Sequence, residues 1–183
     1  MAWFQTVSDA VALMLCAVFK LDPAGSDAAS RFIPAYLEDA TTPQAPRNKN
    51  VTYYALSEAP GTGFDYIQAK TGVGAKGART VVTKTVPVSV LLTFYGSNAD
   101  DDAEHFWSQF QWDSGSGSPR AILREKNIVP IGLPDRPVSM FEVEGTFHRR
   151  RCDVRLSLAY LENTENAVGI VEQTPEVETH VQY

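Results

Sequence analysis

The run Thr80–Tyr95, TVVTKTVPVSVLLTFY, constrains this chain more than any other segment. Its β-branched and aromatic residues suit a pleated strand. Pro87 has no N–H to give to a ladder, so a bulge or an edge position is expected there rather than a central ladder site. A second long run, Phe147–Leu161, alternates Cys152, Val154, Leu156, Leu158 and Tyr160 with Asp153, Arg155 and Ser157, which predicts one buried face and one wet face. Val51–Ala59, Ile128–Leu133 and Val138–Glu144 read as further strands, and Gly145 falls where a hairpin turn belongs.

Helical spacing appears elsewhere. Residues 3–21 place Phe4, Val7, Val11, Met14, Leu15 and Val18 on one side of an amphipathic helix that Asp22-Pro23 should stop. Asp27–Leu37 offers a short second helical stretch, cut by Pro34. Ala99–Trp112 is a clear helix, with Ser97 or Asn98 as cap and Asp100, Asp101, Asp102 and Glu104 favourably placed on its dipole. Phe106, Trp107, Phe110 and Trp112 supply its apolar side. Ser118-Pro119 opens another short helix. This order of elements predicts an α+β fold: a mostly antiparallel β-sheet packed against two or three α-helices, with an extended arm and a C-terminal tail.

At 183 residues the chain fits one domain, 1–161, followed by an acidic tail, 162–183. The hydrophobic content, 44%, is enough for a core. Of the net charge of −6, five charges come from the tail glutamates, which leaves the body at −1. Between Tyr66 and Ala99 the balance reverses, with Lys70, Lys76, Arg79 and Lys84 and no acid. Residues 41–50 read as a loop, and the glycine-spaced stretch 60–80 as a long mobile arm or a hairpin that orders against a neighbour. Cys16 and Cys152 suit two reduced thiols of an intracellular protein. Val11–Phe19 is not read as a signal-peptide core: no lysine or arginine precedes it and Asp9 interrupts the approach. It is also too short to span a bilayer, so a soluble, cytoplasmically made protein is expected.

Catalytic patterns fail in turn. Asp100-Asp101-Asp102 with Glu104 and His105 lies on consecutive helical positions, whose side chains diverge instead of converging on an ion. His105, His148 and His180 have no zinc spacing with the cysteines. Gly115-Ser116-Gly117-Ser118 is a linker, not a nucleophile elbow, and Gly72–Gly77 lacks the Walker spacing. The expectation is a protein without enzymatic activity, cofactor or metal.

Arg149-Arg150-Arg151 is the densest positive feature. In a strand Arg149 and Arg151 share one face, and Arg150 joins the Cys152/Val154 face, just beyond the core or paired with an acid near Asp153. With Lys70, Lys76 and Arg79 these arginines are the candidate intersubunit or tube contacts. Sequence-specific nucleic acid is disfavoured because the chain is acidic and no basic face carries interleaved aromatics. The tail sets Val168, Ile170, Val171, Val177 and Val181 among glutamates, a composition that allows it to add a strand to its own or a neighbour's sheet edge.

The stretch Val90–Ala99, VLLTFYGSNA, followed by an acidic helix, resembles the bacteriophage neck and tail-terminator family. Ile128–Gly132 (IVPIG), Arg149/Arg150 and Asp153–Tyr160 resemble that family's last strands, so the resemblance covers roughly 86–161. It implies a tail-terminator-like α+β domain in a virion, a ring of six copies at the head-proximal end of the tail, and no catalytic residues. The implied partners are other copies of the chain, the tail tube protein and a neck or connector protein, with a tail sheath left open. Alternatives are a connector or tail-completion protein of an adjacent neck ring, and a cellular binding domain. The 60–80 arm and the acidic tail depart from shorter members.

Overall fold

The computed structural model describes residues 2–35, 49–59, 65–70, 79–112, 115–144 and 147–167. The first helix, α1 (Ala2–Phe19), buries Val7, Val11, Met14, Leu15 and Val18, the stripe that the spacing predicts. It ends before Asp22-Pro23. Lys20 takes a left-handed φ of 53°, Leu21 N–H donates to the Cys16 carbonyl at 2.9 Å, and Lys20 N–H to that of Ala17 at 3.3 Å. These two bonds form a Schellman cap, so the helix is closed by its own carbonyls before the proline is reached.

A short helix, α2 (Ser26–Arg31), follows; the helical expectation for 27–37 fails at Phe32–Pro34, and its last two positions lie outside the described residues. Phe32–Pro34 is instead a strand, β1, parallel to β2 (Val51–Glu58). Proline disfavours helical backbone in the residue before it, and Phe32 gains burial against the core by extending. The reading of 41–50 as a loop lies outside the described residues except at Lys49 and Asn50.

β3 (Asp65–Lys70) and β4 (Arg79–Tyr95) form an antiparallel hairpin, so the backbone of the 60–80 stretch is partly strand, and its tip, 71–78, lies outside the described residues. Pro87 sits inside β4 without a bulge, at a position where the ladder to β7 runs on one side only, so the edge alternative holds locally although the strand itself is central. It keeps its place opposite Ala159, and its carbonyl accepts from Ala59 N–H at 3.0 Å. In an extended residue N and O point the same way. The absent N–H therefore faces Ala59, just past the end of the β2 ladder at Val88 and before the start of the β3 ladder at Lys84. A proline is tolerated there because the strand has a local edge.

Gly96 turns the chain into α3 (Ala99–Gln111) at φ +115°; a Cβ there would press on Asn50 Oδ1 and lie 2.9 Å from Asn50 Cα. Asn98 stands at the cap position, but its side chain does not cap; it accepts the Ser97 hydroxyl at 3.1 Å. In α3, Phe106 and Phe110 are buried, whereas Trp112 is 72% exposed, against expectation. In α4 (Pro119–Glu125), the Ser118 hydroxyl oxygen accepts from Ala121 N–H at 3.2 Å, the cap that Ser-Pro predicts.

β5 (Ile128–Pro130), β6 (Val138–Glu144) and β7 (Phe147–Ala167) complete a seven-stranded sheet of order β1-β2-β4-β7-β5, with β3 beside β4 and β6 beside β7. Among the described residues only β1 and β2 pair in parallel. Glu144 pairs with Phe147 across the position of Gly145, which itself lies outside the described residues. β7 runs six residues past Leu161, so part of the sequence assigned to the tail is ladder, and 168–183 lies outside the described residues.

The fold is α+β with a mostly antiparallel sheet, and four helices are present among the described residues instead of two or three. All four contribute to one face. Val88, Val90, Leu92 and Phe94 of β4 meet Cys152, Val154, Leu156 and Leu158 of β7 beneath α1, α3 and α4. Both cysteines are free and buried. On the opposite face Val51 and Tyr53 form a small cluster with Ile33 and Tyr95.

Candidate assembly surface

The six basic residues singled out in the sequence separate into two groups. Lys70 and Arg79 pair as the last backbone positions of the β3–β4 hairpin, and Lys76 lies outside the described residues. Arg149, Arg150 and Arg151 lie on the β6–β7 hairpin, beside the other end of β4, where Arg151 faces Tyr95. β4 has 17 residues, so the two groups stand roughly 50 Å apart at the rise of an extended strand. One continuous basic patch is therefore not what the fold builds.

The arginine cluster alternates as strand geometry requires. The Arg149 guanidinium lies 4.3 Å from the Tyr95 ring centroid, and Arg151 holds Asp153 with two bonds of 2.8 and 2.7 Å. On the other face Arg150 forms an ion pair with Asp100 in the first turn of α3. That partner corrects the expectation of an acid near Asp153 and gives part of the Asp100–Asp102 cluster a structural task. Asp102 completes it by pairing with Arg31 at 2.9 Å, while burial pushes its carboxyl up against the pull of that arginine. His105 Nε2 lies 3.2 Å from the Val18 carbonyl oxygen, packed against Phe19. Among the described residues no three histidines, cysteines or carboxylates group as a metal site.

Tyr95 joins the two sides of this end of the sheet. Its hydroxyl donates to Glu142 Oε2 on β6 at 2.8 Å, and its ring meets Tyr53 edge-on at 5.8 Å. Its pKa is pushed up to about 12, first by burial and then by that bond to a carboxylate. Arg151 is raised above its ordinary value, first by its bonds to Asp153, so it stays charged. Burial takes the Cys152 thiol up to about 11, which leaves it a protonated core group and a poor nucleophile.

Sequence reasoning missed the larger feature, the outermost ribbon of the sheet. From Ile128 to Glu144 the chain follows the outer edge of β7. Ladder bonds continue between β5 and β6 through Ile131 N–H to the Ser157 carbonyl at 2.7 Å and Asp135 N–H to that of Arg155 at 2.9 Å. Seven of the eight large hydrophobics that are exposed among the described residues lie on this ribbon: Val129, Ile131, Leu133, Val138, Met140, Phe141 and Val143. Phe141 is 71% exposed, Val143 67% and Leu133 60%. Scattered exposed hydrophobics are ordinary, whereas their concentration along one sheet edge, Val138 and Met140 on one face and Phe141 and Val143 on the other, marks contact with another molecule.

The ribbon is held firmly. Trp107 Nε1 donates to the Pro134 carbonyl at 3.2 Å, Arg136 stacks 5.7 Å from the Trp107 ring, and Ser139 donates to Asp100 at 2.7 Å. α3 thus braces the ribbon at Pro134, Arg136 and Ser139 without covering Phe141 and Val143. The signal available in the sequence was Met140-Phe141: adjacent apolar residues in a strand occupy both faces, which an edge with only one buried face does not need.

No helix among the described residues is long and apolar enough to cross a membrane. No family model matches the chain, and no curated protein matches it.

Proposed function

We propose that this chain is a structural subunit of a tailed bacteriophage virion, without enzymatic activity. In this reading six copies form a ring that caps the head-proximal end of the tail tube, stops tube polymerisation and joins the tail to the neck. The partners are other copies of the chain, the tail tube protein and a neck or connector protein.

The observation that carries the reading is the braced apolar ribbon 128–144 on an outer edge of the sheet. A monomer gains nothing from seven exposed hydrophobics spread over both faces of one sheet edge, whereas a ring subunit can bury them on assembly. The two hairpins at opposite ends of the β4–β7 pair add to the case, because a ring made by head-to-tail contacts needs unlike surfaces at different places on each subunit. The turn Tyr95-Gly96-Ser97-Asn98, the most specific piece of the family resemblance, is a structural necessity here, since only glycine fits against Asn50.

Labelling this chain in intact particles and imaging them tests the reading. A ring of label where the tail meets the neck is the expected result, and phage lacking the gene should carry tails of abnormal length. Label at the distal tail tip, or none in the particle, overturns it. Complete loss of tails points to a tube subunit instead.

A further inference from the structure

The end of the tail and strand β6 fit each other in chemistry, but the one cannot lie along the other within one chain. The last eight residues, Glu176–Tyr183, read Glu-Val-Glu-Thr-His-Val-Gln-Tyr. As an extended strand they put Val177, Thr179, Val181 and Tyr183 on one face and Glu176, Glu178, His180 and Gln182 on the other. β6 pairs with β7 along one side only, and no strand among the described residues pairs with its other side. That open side carries Phe141 and Val143 on one face of the sheet. An amphipathic strand laid there would satisfy β6's unpaired backbone groups and cover both side chains.

Reach decides which copy supplies the strand. Ladder pairing of β7 ends at Ala167, and β6 begins opposite Asp153. Those two β7 positions are roughly 45 Å apart at the rise of an extended strand. Residues 168–175, the only chain between Ala167 and the alternating segment, span at most about 28 Å when fully stretched. The segment therefore cannot lie along the β6 of its own chain. Folding back as a hairpin onto β7 is within reach, but it would set Glu172, Glu176 and Glu178 beside Glu162 and Glu165 with no basic residue from 162 onward.

We propose that Glu176–Tyr183 of one copy adds as a strand to the open side of β6 in a second copy, with its valines and Tyr183 over Phe141 and Val143. This rests on the ring reading and supplies its interlock: each subunit gives a strand at one end and receives one at the other, a contact that closes into a ring by rotation.

The test uses the full chain with a photoreactive benzophenone amino acid in place of Tyr183, assembled as an equal mixture of ordinary and 15N-labelled copies. After irradiation, mass spectrometry should find links between isotopically different chains that fall in 138–144. A second chain carrying Val177→Asp and Val181→Asp should lose those links at least about tenfold while its melting temperature stays unchanged, because each buried valine carries roughly a tenfold share of affinity. Links confined to one isotope and falling in 161–167 mean a folded-back hairpin and overturn the proposal. Links between chains that land elsewhere overturn the tail's place and leave the ring reading standing. A preparation that remains monomeric overturns both.

Discussion

Leu92 and Val143 are both apolar strand residues of one sheet, yet the first is completely buried and the second is 67% exposed. Leu92 lies in β4 beneath the helices, and Val143 on the outer ribbon that α3 braces but does not cover. The same chemistry therefore does two jobs. In the helix-covered centre it stabilises the subunit, since fully burying one such side chain contributes about 1.5–3 kcal/mol. On the ribbon that contribution is deferred until another molecule arrives. Substitutions in the two regions should separate stability from association.

The largest effect is expected in the centre. At a dilution where both chains are single subunits, Phe106→Ala should lower unfolding free energy by about 3–5 kcal/mol in a urea titration, whereas Phe141→Asp should move it by no more than about 0.5 kcal/mol. Equal losses would erase the distinction between the regions. Gly96→Ala should cost about 1–3 kcal/mol, because the left-handed backbone and Asn50 leave no place for a Cβ. Lys20→Gly should raise stability by about 1 kcal/mol, since glycine takes the left-handed cap position without strain. Arg150→Ala should cost less than about 1 kcal/mol, because that arginine is half exposed, and a double-mutant cycle with Asp100→Ala should return a coupling of similar size.

A titration distinguishes the junction of the regions. The Tyr95 pKa is raised from 10 to about 12 in the folded chain, so the folded state holds this proton more tightly than the unfolded one. The stability this group contributes is therefore complete below pH 10 and is lost as pH rises from 10 toward 12. Tyr95→Phe should make the alkaline limb of the stability curve shallower; an unchanged limb would mean that neither the burial of Tyr95 nor its bond to Glu142 holds in solution.

Much of the centre was legible because its patterns are local. The α1 stripe, the Cys152–Tyr160 alternation and the Ser118 cap each follow from a few neighbouring residues, and together they specify an α+β fold. What escaped was set by distant partners. Phe32–Pro34 extends because β2 lies alongside, and Pro87 survives in a central strand because two separate strands leave a gap beside it. The Arg150–Asp100 pair joins a strand to a helix start 50 positions earlier in the chain. The apolar ribbon was hidden for a related reason: hydrophobicity can be read from sequence, but exposure depends on whether a helix ends up above it.

The most direct measurement is the mass of the purified full chain at micromolar concentration by mass photometry. The account predicts a species near six times 20.1 kDa, reduced to single subunits by Phe141→Asp with Val143→Asp while the circular dichroism spectrum is unchanged. A native chain that is monomeric, or a doubly substituted chain that still forms the ring, would contradict it.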